Sequence, residues 1–323
     1  MKKRVIVWRI TQDCNMNCLF CSYSNEVKRL RNDADYDEVN SLIDVLGKYK
    51  QQTNCEILVS WIGGEPFLFK EILPLSKKLI TLGIDVSTTT NGILLSSEKI
   101  RKNVIDNFSE IVLSLDGFQK CNDRIRKMPG HFDLIVQNIT RLNQERKAAN
   151  SNLKIKINTI LLRENIGQFK DFCKLLVKIG VDELTFNQLG GYDRPEFYGD
   201  NRLQTEQVDE FIKELPDIKN DLYNAGLIIH GSKDYLDRIV YSTDNKMISI
   251  DECNPGEWFW FINESGFISP CSYTSYEYKA SINDIKTSED IDRLQQHFEQ
   301  MRKTNRSRWC DDCHCTQLYK KFD

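Results

Sequence analysis

The sequence predicts an α/β fold: a partial (β/α)6 TIM-like barrel followed by a small cysteine-bearing C-terminal domain. Three observations carry this expectation. Short β-type runs alternate with amphipathic helical stretches over the first 190 residues, the pattern of a parallel sheet covered by helices. Unusual glycine-, asparagine- and acid-containing strings recur where those strands end. Eleven cysteines are present, and eight of them gather in two groups near opposite ends of the chain.

Taken in order, six strands are expected over Arg4–Ile10, Glu56–Ile62, Asp85–Thr89, Glu110–Leu115, Lys154–Leu161 and Glu183–Asn187. Helices are expected between them over Tyr36–Tyr49, Lys70–Leu82, His131–Lys147 and Gly167–Ile179. In the last, Phe169, Phe172, Cys173, Leu176 and Val177 fall on one helical stripe, which marks a face turned to a core. Residues 1–190 form the barrel in this reading. Residues 191–245 form a bridge with helical stretches at Val208–Leu215 and Ile218–Asn224, and residues 246–323 form the C-terminal domain. There Trp258–Ile262 and Phe267–Ser269 read as a hairpin around the turn Asn263-Glu264-Ser265-Gly266, and Asp290–Lys303 reads as a helix. In parallel α/β folds, ligands sit at the carboxyl ends of the strands. The strings Thr11-Gln12-Asp13-Cys14, Gly63-Gly64-Glu65-Pro66, Thr90-Asn91-Gly92 and Asp116-Gly117 lie at that rim.

The bulk properties exclude several classes. A net charge of −3 over 323 residues favours neither nucleic acid nor an anionic membrane as a partner. The run Val5-Ile6-Val7-Trp8 is short and broken by Arg9, so no signal-peptide core is expected, and no apolar run is long enough to span a bilayer. The expected location is cytoplasmic, where thiols stay reduced and clustered cysteines bind metal more often than they pair.

The first group, Cys14, Cys18 and Cys21, has the spacing C-x3-C-x2-C in the loop after the first strand. A cubane [4Fe–4S] cluster held by three thiolates keeps one iron without a protein ligand. That iron can take a small molecule through an amine and a carboxylate. A structural zinc site is the alternative, and it calls for four closed ligands where this loop offers three and no nearby histidine.

This loop, the Gly-Gly-Glu-Pro string at 63–66 after the second strand, Thr90-Asn91-Gly92 after the third and Ser114-Leu115-Asp116-Gly117 after the fourth resemble the radical SAM superfamily, in the same order over residues 4–190. The resemblance implies that Cys14, Cys18 and Cys21 ligate the catalytic [4Fe–4S] cluster and that S-adenosyl-L-methionine binds its open iron. It implies that Phe20 packs beside the adenine and that Gly63, Gly64 and Glu65 receive the methionine amine. Ser114 would touch ribose or carboxylate, Arg126 or Arg124 would pair with the carboxylate, and Asn91 would belong to the same wall. The implied chemistry is reductive cleavage to a 5′-deoxyadenosyl radical that removes a hydrogen atom from substrate.

The second group is Cys253, Cys271, Cys310, Cys313 and Cys315. Cys253 and Cys271 bracket the expected hairpin, and Cys310-Asp311-Asp312-Cys313 returns a C-x2-C pair. Four thiolates brought together this way suit either zinc or a second cubane. C-x12-G-x4-C followed by C-x2-C resembles the SPASM/twitch extension of radical SAM enzymes, and the shorter twitch form implies one auxiliary [4Fe–4S] cluster on Cys253, Cys271, Cys310 and Cys313. Cys315 departs from that pattern; it is a spare ligand, an inert thiol or a hydrogen donor to a substrate radical. The resemblance implies peptide modification (cross-link, oxidation or epimerisation), with dehydrogenation or epimerisation of an amino sugar or aminocyclitol as the alternative. It also implies a flavodoxin or ferredoxin as electron donor.

Overall fold

The computed structural model describes residues 3–322. Six parallel strands follow one another in sheet order: β1 (Lys3–Thr11), β2 (Glu56–Gly63), β3 (Asp85–Thr90), β4 (Glu110–Ser114), β5 (Lys154–Leu161) and β6 (Glu183–Gln188). Helices return the chain between them: α1 (Tyr36–Thr53), α2 (Ile72–Thr81), α3 (Glu98–Asn107), α4 (Gln119–Arg126), α5 (His131–Ala148) and α6 (Phe169–Ile179). This is the expected partial barrel, each strand within about two residues of its expected bounds. Alternation explains the strands. Along β1, Ile6, Trp8 and Ile10 are fully buried while Val5, Val7 and Arg9 are less so, the period of two that places alternate side chains on opposite faces. Trp8 packs on Trp61 of β2 with ring centroids 5.5 Å apart.

The helices use the other period. Phe169, Phe172, Cys173, Leu176 and Ile179 make the buried face of α6, and Gly180 ends it at φ +88°, a conformation that costs glycine little. Each such large apolar side chain contributes on the order of 1.5–3 kcal/mol when fully buried.

The bridge differs from expectation in its helices and in an added strand. The two helical stretches are a single helix, α8 (Thr205–Tyr223), which follows the short α7 (Pro195–Asn201). Pro216 lies inside α8 and removes one backbone donor. Burial of Val208, Phe211, Leu215, Ile218 and Leu222 along one face holds the helix continuous across it. Then come β7 (Ile228–Ile229), parallel to β6, and α9 (Lys233–Thr243), which the sequence reading did not resolve.

The expected hairpin is present as β8 (Phe259–Ile262) and β9 (Phe267–Ser269), and the edge strand β10 (Ala280–Ser281) pairs with β9. β8 does not stand apart from the barrel. It pairs in parallel with β1, Val5 opposite Phe259 through Trp8 opposite Ile262, so one sheet of ten strands runs through the described chain. The helix α10 (Ser288–Thr304) opens with a capping box, Thr287 and Asp290 each accepting the other's backbone N–H.

Candidate active site

The loop after β1 is held from several sides. Leu19 N–H donates to Ile125 O of α4 at 2.8 Å, and Asn25 N–H donates to Met16 O at 3.2 Å. Arg31 spans the base of the loop, donating from Nη1 to Gln12 O at 2.6 Å and Tyr23 O at 3.1 Å, and from Nη2 to Ser24 O at 2.9 Å. Cys18 and Met16 are buried, and Cys14 and Cys21 are half-buried. Burial pushes the Cys14 thiol up to about 11 and Cys18 up to about 12, and it raises Cys21 as well; Arg126 opposes the shift at Cys18. Three thiols this desolvated become thiolates only beside compensating positive charge. Bound iron is such a charge, so the donor set fits a metal cluster.

The Gly-Gly-Glu-Pro string closes the rim behind that loop. A Cβ on Gly64 would lie 2.0 Å from Asp13 O, and one on Gly63 would lie 2.4 Å from Thr11 O. The two glycines let the end of β2 press directly on the backbone leading to Cys14, with Gly64 N–H donating to Thr11 O at 3.0 Å. Glu65 is fully buried. Its carboxylate accepts from Thr90 Oγ1 and Asn91 N–H, each at 2.8 Å, and from Phe67 N–H at 3.2 Å. Burial raises it to about 7 against those donors. The Glu65 side chain therefore fastens β2 to the end of β3. Asn91 extends the strap, its Nδ2 donating to Asn15 Oδ1 at 2.7 Å inside the cysteine loop.

The structure separates the two candidate arginines. Arg126 is buried, with Nη2 2.7 Å from Asp116 Oδ2 and its guanidinium 5.7 Å from the Phe20 ring centroid. Its buried Nε has no hydrogen-bond partner among the described residues. Arg124 is 41% exposed and pairs with Glu164 at 2.5 Å. Only Arg126 joins the cysteine loop. Ser114 ends β4 in register with Asn158 of β5.

One cavity adjoins this rim, and a second lies behind it. One, of about 410 Å³, is lined by Phe20, Asn158, Asn187, Asp193, Arg238 and His314, among others. The second, of about 450 Å³, is lined by all five C-terminal cysteines. Phe259, Tyr273, Cys315 and Gln317 line both and form the partition. The Cys315–Cys271 hydrogen bond lowers Cys271 and raises Cys315. Cys315 N–H lies 3.5 Å from Cys313 Sγ. Arg238, buried, fixes the returning loop, donating to Cys313 O at 2.8 Å and Asp312 Oδ1 at 2.7 Å. Among the described residues, no three His, Cys, Asp or Glu side chains are close enough to share one metal ion; in a cubane each thiolate takes its own iron. Sequence reasoning missed Arg31, Asp193, Arg238 and Tyr273. Arg238 acts through Asp312 and Cys313, distant in the chain, and Arg31 acts through backbone carbonyls that no side-chain pattern marks.

Residues 8–176 match the family model described as "Radical SAM superfamily". The chain belongs to that superfamily. Its members use S-adenosyl-L-methionine with a [4Fe–4S] cluster. Among curated relatives, this radical SAM chain is 26% identical over 188 residues to the Fe-coproporphyrin III synthase of Methanosarcina barkeri, an alignment covering 58% of the chain but 44% of the relative. It is 22% identical over 314 residues to the AdoMet-dependent heme synthase of Nitratidesulfovibrio vulgaris, covering 93% and 81%. Among solved structures, Streptococcus suis SuiB bound to its precursor peptide SuiA superposes with a TM-score of 0.68 at 16% identity, covering 99% of this chain and 71% of that one. Among the described residues no helix is long and apolar enough to cross a membrane.

Proposed function

We propose that the chain cleaves S-adenosyl-L-methionine reductively at a cluster held by Cys14, Cys18 and Cys21 and directs the resulting radical at a peptide. The observation that carries this is the convergence of those three thiols, the Gly63-Gly64-Glu65 rim, Arg126 and a 410 Å³ cavity at the carboxyl ends of one parallel sheet. When bound, the cluster and its cofactor supply a 5′-deoxyadenosyl radical able to take a hydrogen atom from an unactivated carbon. The chain's own residues do the rest. Phe20 lines the cavity, sits 6.4 Å from Phe197 and gives a flat apolar face for adenine. Arg126, with Nε unspent, receives a carboxylate. Ser114 and Asn91 complete that wall, with Gly63, Gly64 and Glu65 toward the amine. Cys253, Cys271, Cys310 and Cys313 hold the auxiliary cluster in a C-terminal domain, residues 246–323, whose hairpin is paired with the barrel edge.

The peptide assignment draws support from the likeness of fold to SuiB, whose structure holds the precursor peptide SuiA. Dehydrogenation or epimerisation of a small polar metabolite is the second reading, and the near full-length alignment with a heme synthase favours a small molecule in the cavity. A flavodoxin or ferredoxin in the cytoplasm would supply the electron. Protein isolated without oxygen should carry about eight irons and, with dithionite and S-adenosyl-L-methionine, form 5′-deoxyadenosine. Zinc in place of iron, or no 5′-deoxyadenosine, refutes the proposal. A short peptide gene beside this one supports the first substrate class, and sugar- or tetrapyrrole-pathway genes the second. Cys315, which lines both cavities, would return a hydrogen atom to a substrate radical in this reading. A Cys315→Ser enzyme should then stop incorporating solvent deuterium into product, and unchanged incorporation removes that role.

A further inference from the structure

The turn between β8 and β9 carries a buried carboxylate that the function above does not use. β8 pairs with β1 so that Ile262 lies opposite Trp8, and the turn beyond Ile262 therefore falls beside Arg9. Glu264, 6% exposed, accepts from Arg9 Nε with one oxygen and from Gln12 Nε2 with the other. The turn that aims it is rigid: Asn263 Oδ1 accepts from Ser265 N–H at 3.1 Å and from Phe267 N–H at 3.0 Å. Arg9 Nη1 in turn donates to Tyr23 Oη at 2.6 Å.

Gln12 stands two residues before Cys14, and Tyr23 stands two residues after Cys21. Arg31 already joins these two points through their carbonyls. Glu264 joins them again through their side chains, from a segment more than two hundred residues away. A loop fixed at both ends has its three thiols at fixed separations, and a misplacement of about 1 Å at such a centre can cost on the order of a hundredfold in rate. A strut needed only to dock the hairpin has no reason to grip both ends of the cysteine loop. Docking is served elsewhere, where Glu38 of α1 accepts from Asn283 Nδ2 at 2.7 Å.

We infer that Glu264 is a positioning residue for the Cys14–Cys18–Cys21 site, a strut by which the C-terminal region sets the geometry of the N-terminal cluster loop. The inference rests on the radical SAM reading. The test compares Glu264→Gln, Glu264→Ala and the docking control Glu38→Gln in the full chain, reconstituted without oxygen. Iron content, the electron paramagnetic resonance signal that responds to S-adenosyl-L-methionine, the midpoint potential of that cluster and the rate of 5′-deoxyadenosine formation are read for each. Glu264→Gln should alter the responsive signal and its potential and slow 5′-deoxyadenosine formation by about tenfold or more, and Glu38→Gln should stay within about twofold. Selective loss of the responsive cluster's iron in either Glu264 variant supports the strut equally. Wild-type signal, potential and rate in Glu264→Gln overturn it, as does an equal loss of both clusters' iron in Glu264→Gln and Glu38→Gln. Should Glu264→Ala not fold, the near-isosteric Gln variant decides alone. A wild-type protein that forms no 5′-deoxyadenosine would sink the functional reading instead, so the two failures are distinct.

Discussion

Cys14, Cys18 and Cys21 come from one short loop, whereas Cys253, Cys271 and the Cys310–Cys315 run come from three segments that meet only in the folded chain. The first site is local in its thiols and long-range in its supports, with Arg126 and Glu264 reaching in from elsewhere. The second is long-range in its thiols, and its supports include the Arg238 contacts to Cys313 and Asp312. A loop can carry three thiols in sequence and still need the fold to hold them at working distance. A distributed site needs the fold even to exist. The two also differ in charge. The first has a buried guanidinium beside Cys18, while at the second a hydrogen bond between thiols lowers Cys271.

The largest effect expected is at the first site. Replacing Cys14, Cys18 and Cys21 together by Ala should abolish 5′-deoxyadenosine formation and remove about four irons per chain, measured by chromatography and iron assay. Formation of 5′-deoxyadenosine by that triple variant would break the comparison outright, because the second site would then be the reactive one. Replacing Cys310 and Cys313 by Ala should remove about half the iron and leave uncoupled cleavage in place. Unchanged iron would mean that the second cavity holds no cluster.

The contrast between local and distributed ligands also sets what the sequence could reveal. The six parallel strands were legible because a period of two and a period of 3.6 alternate cleanly along residues 4–190. The C-x3-C-x2-C loop was legible because spacing alone states it. Arg124 and Arg126 could not be told apart, since both sit in the last turn of α4 and their surroundings come from other elements. The structure resolves them through Asp116, which Arg126 meets and Arg124 does not. α9 was missed, though its buried face of Tyr235, Arg238 and Ile239 includes an arginine, which an apolar template rejects. The place of Cys315 on the partition was invisible, because that wall is assembled from β8, the loop after Cys271 and the C-terminal turn.

The two arginines sharpen the comparison at smaller scale. Arg126→Met leaves Asp116 fully buried without its cation and should cost about 3–5 kcal/mol. Arg124→Met removes a partly exposed pair and should cost at most about 1 kcal/mol. Urea unfolding of the two variants measures the difference. Equal costs would mean that Asp116 finds another partner and that the first site is not held by a buried charge.

A pH-dependent effect concerns the wall between the cavities and α9. Lys321 is buried and, among the described residues, pairs with no carboxylate; its Nζ donates to Asn187 Oδ1 at 2.9 Å and lies 5.8 Å from the Tyr235 ring centroid. Burial pulls it from 10.5 down to about 7. Between pH 7 and 10.5 the unfolded chain therefore holds a proton that the folded chain has released, and stability contributed by this site rises with pH across that window. Below pH 7 the folded chain must keep a desolvated ammonium, so the full cost is present there. Lys321→Met removes the titrating group. Its melting temperature should exceed that of the wild type most at pH 6, and the gap should narrow steadily toward pH 10. A gap that is constant with pH would show that the folded and unfolded chains bind this proton equally, and that Asn187 and the Tyr235 ring hold the ammonium as well as water does.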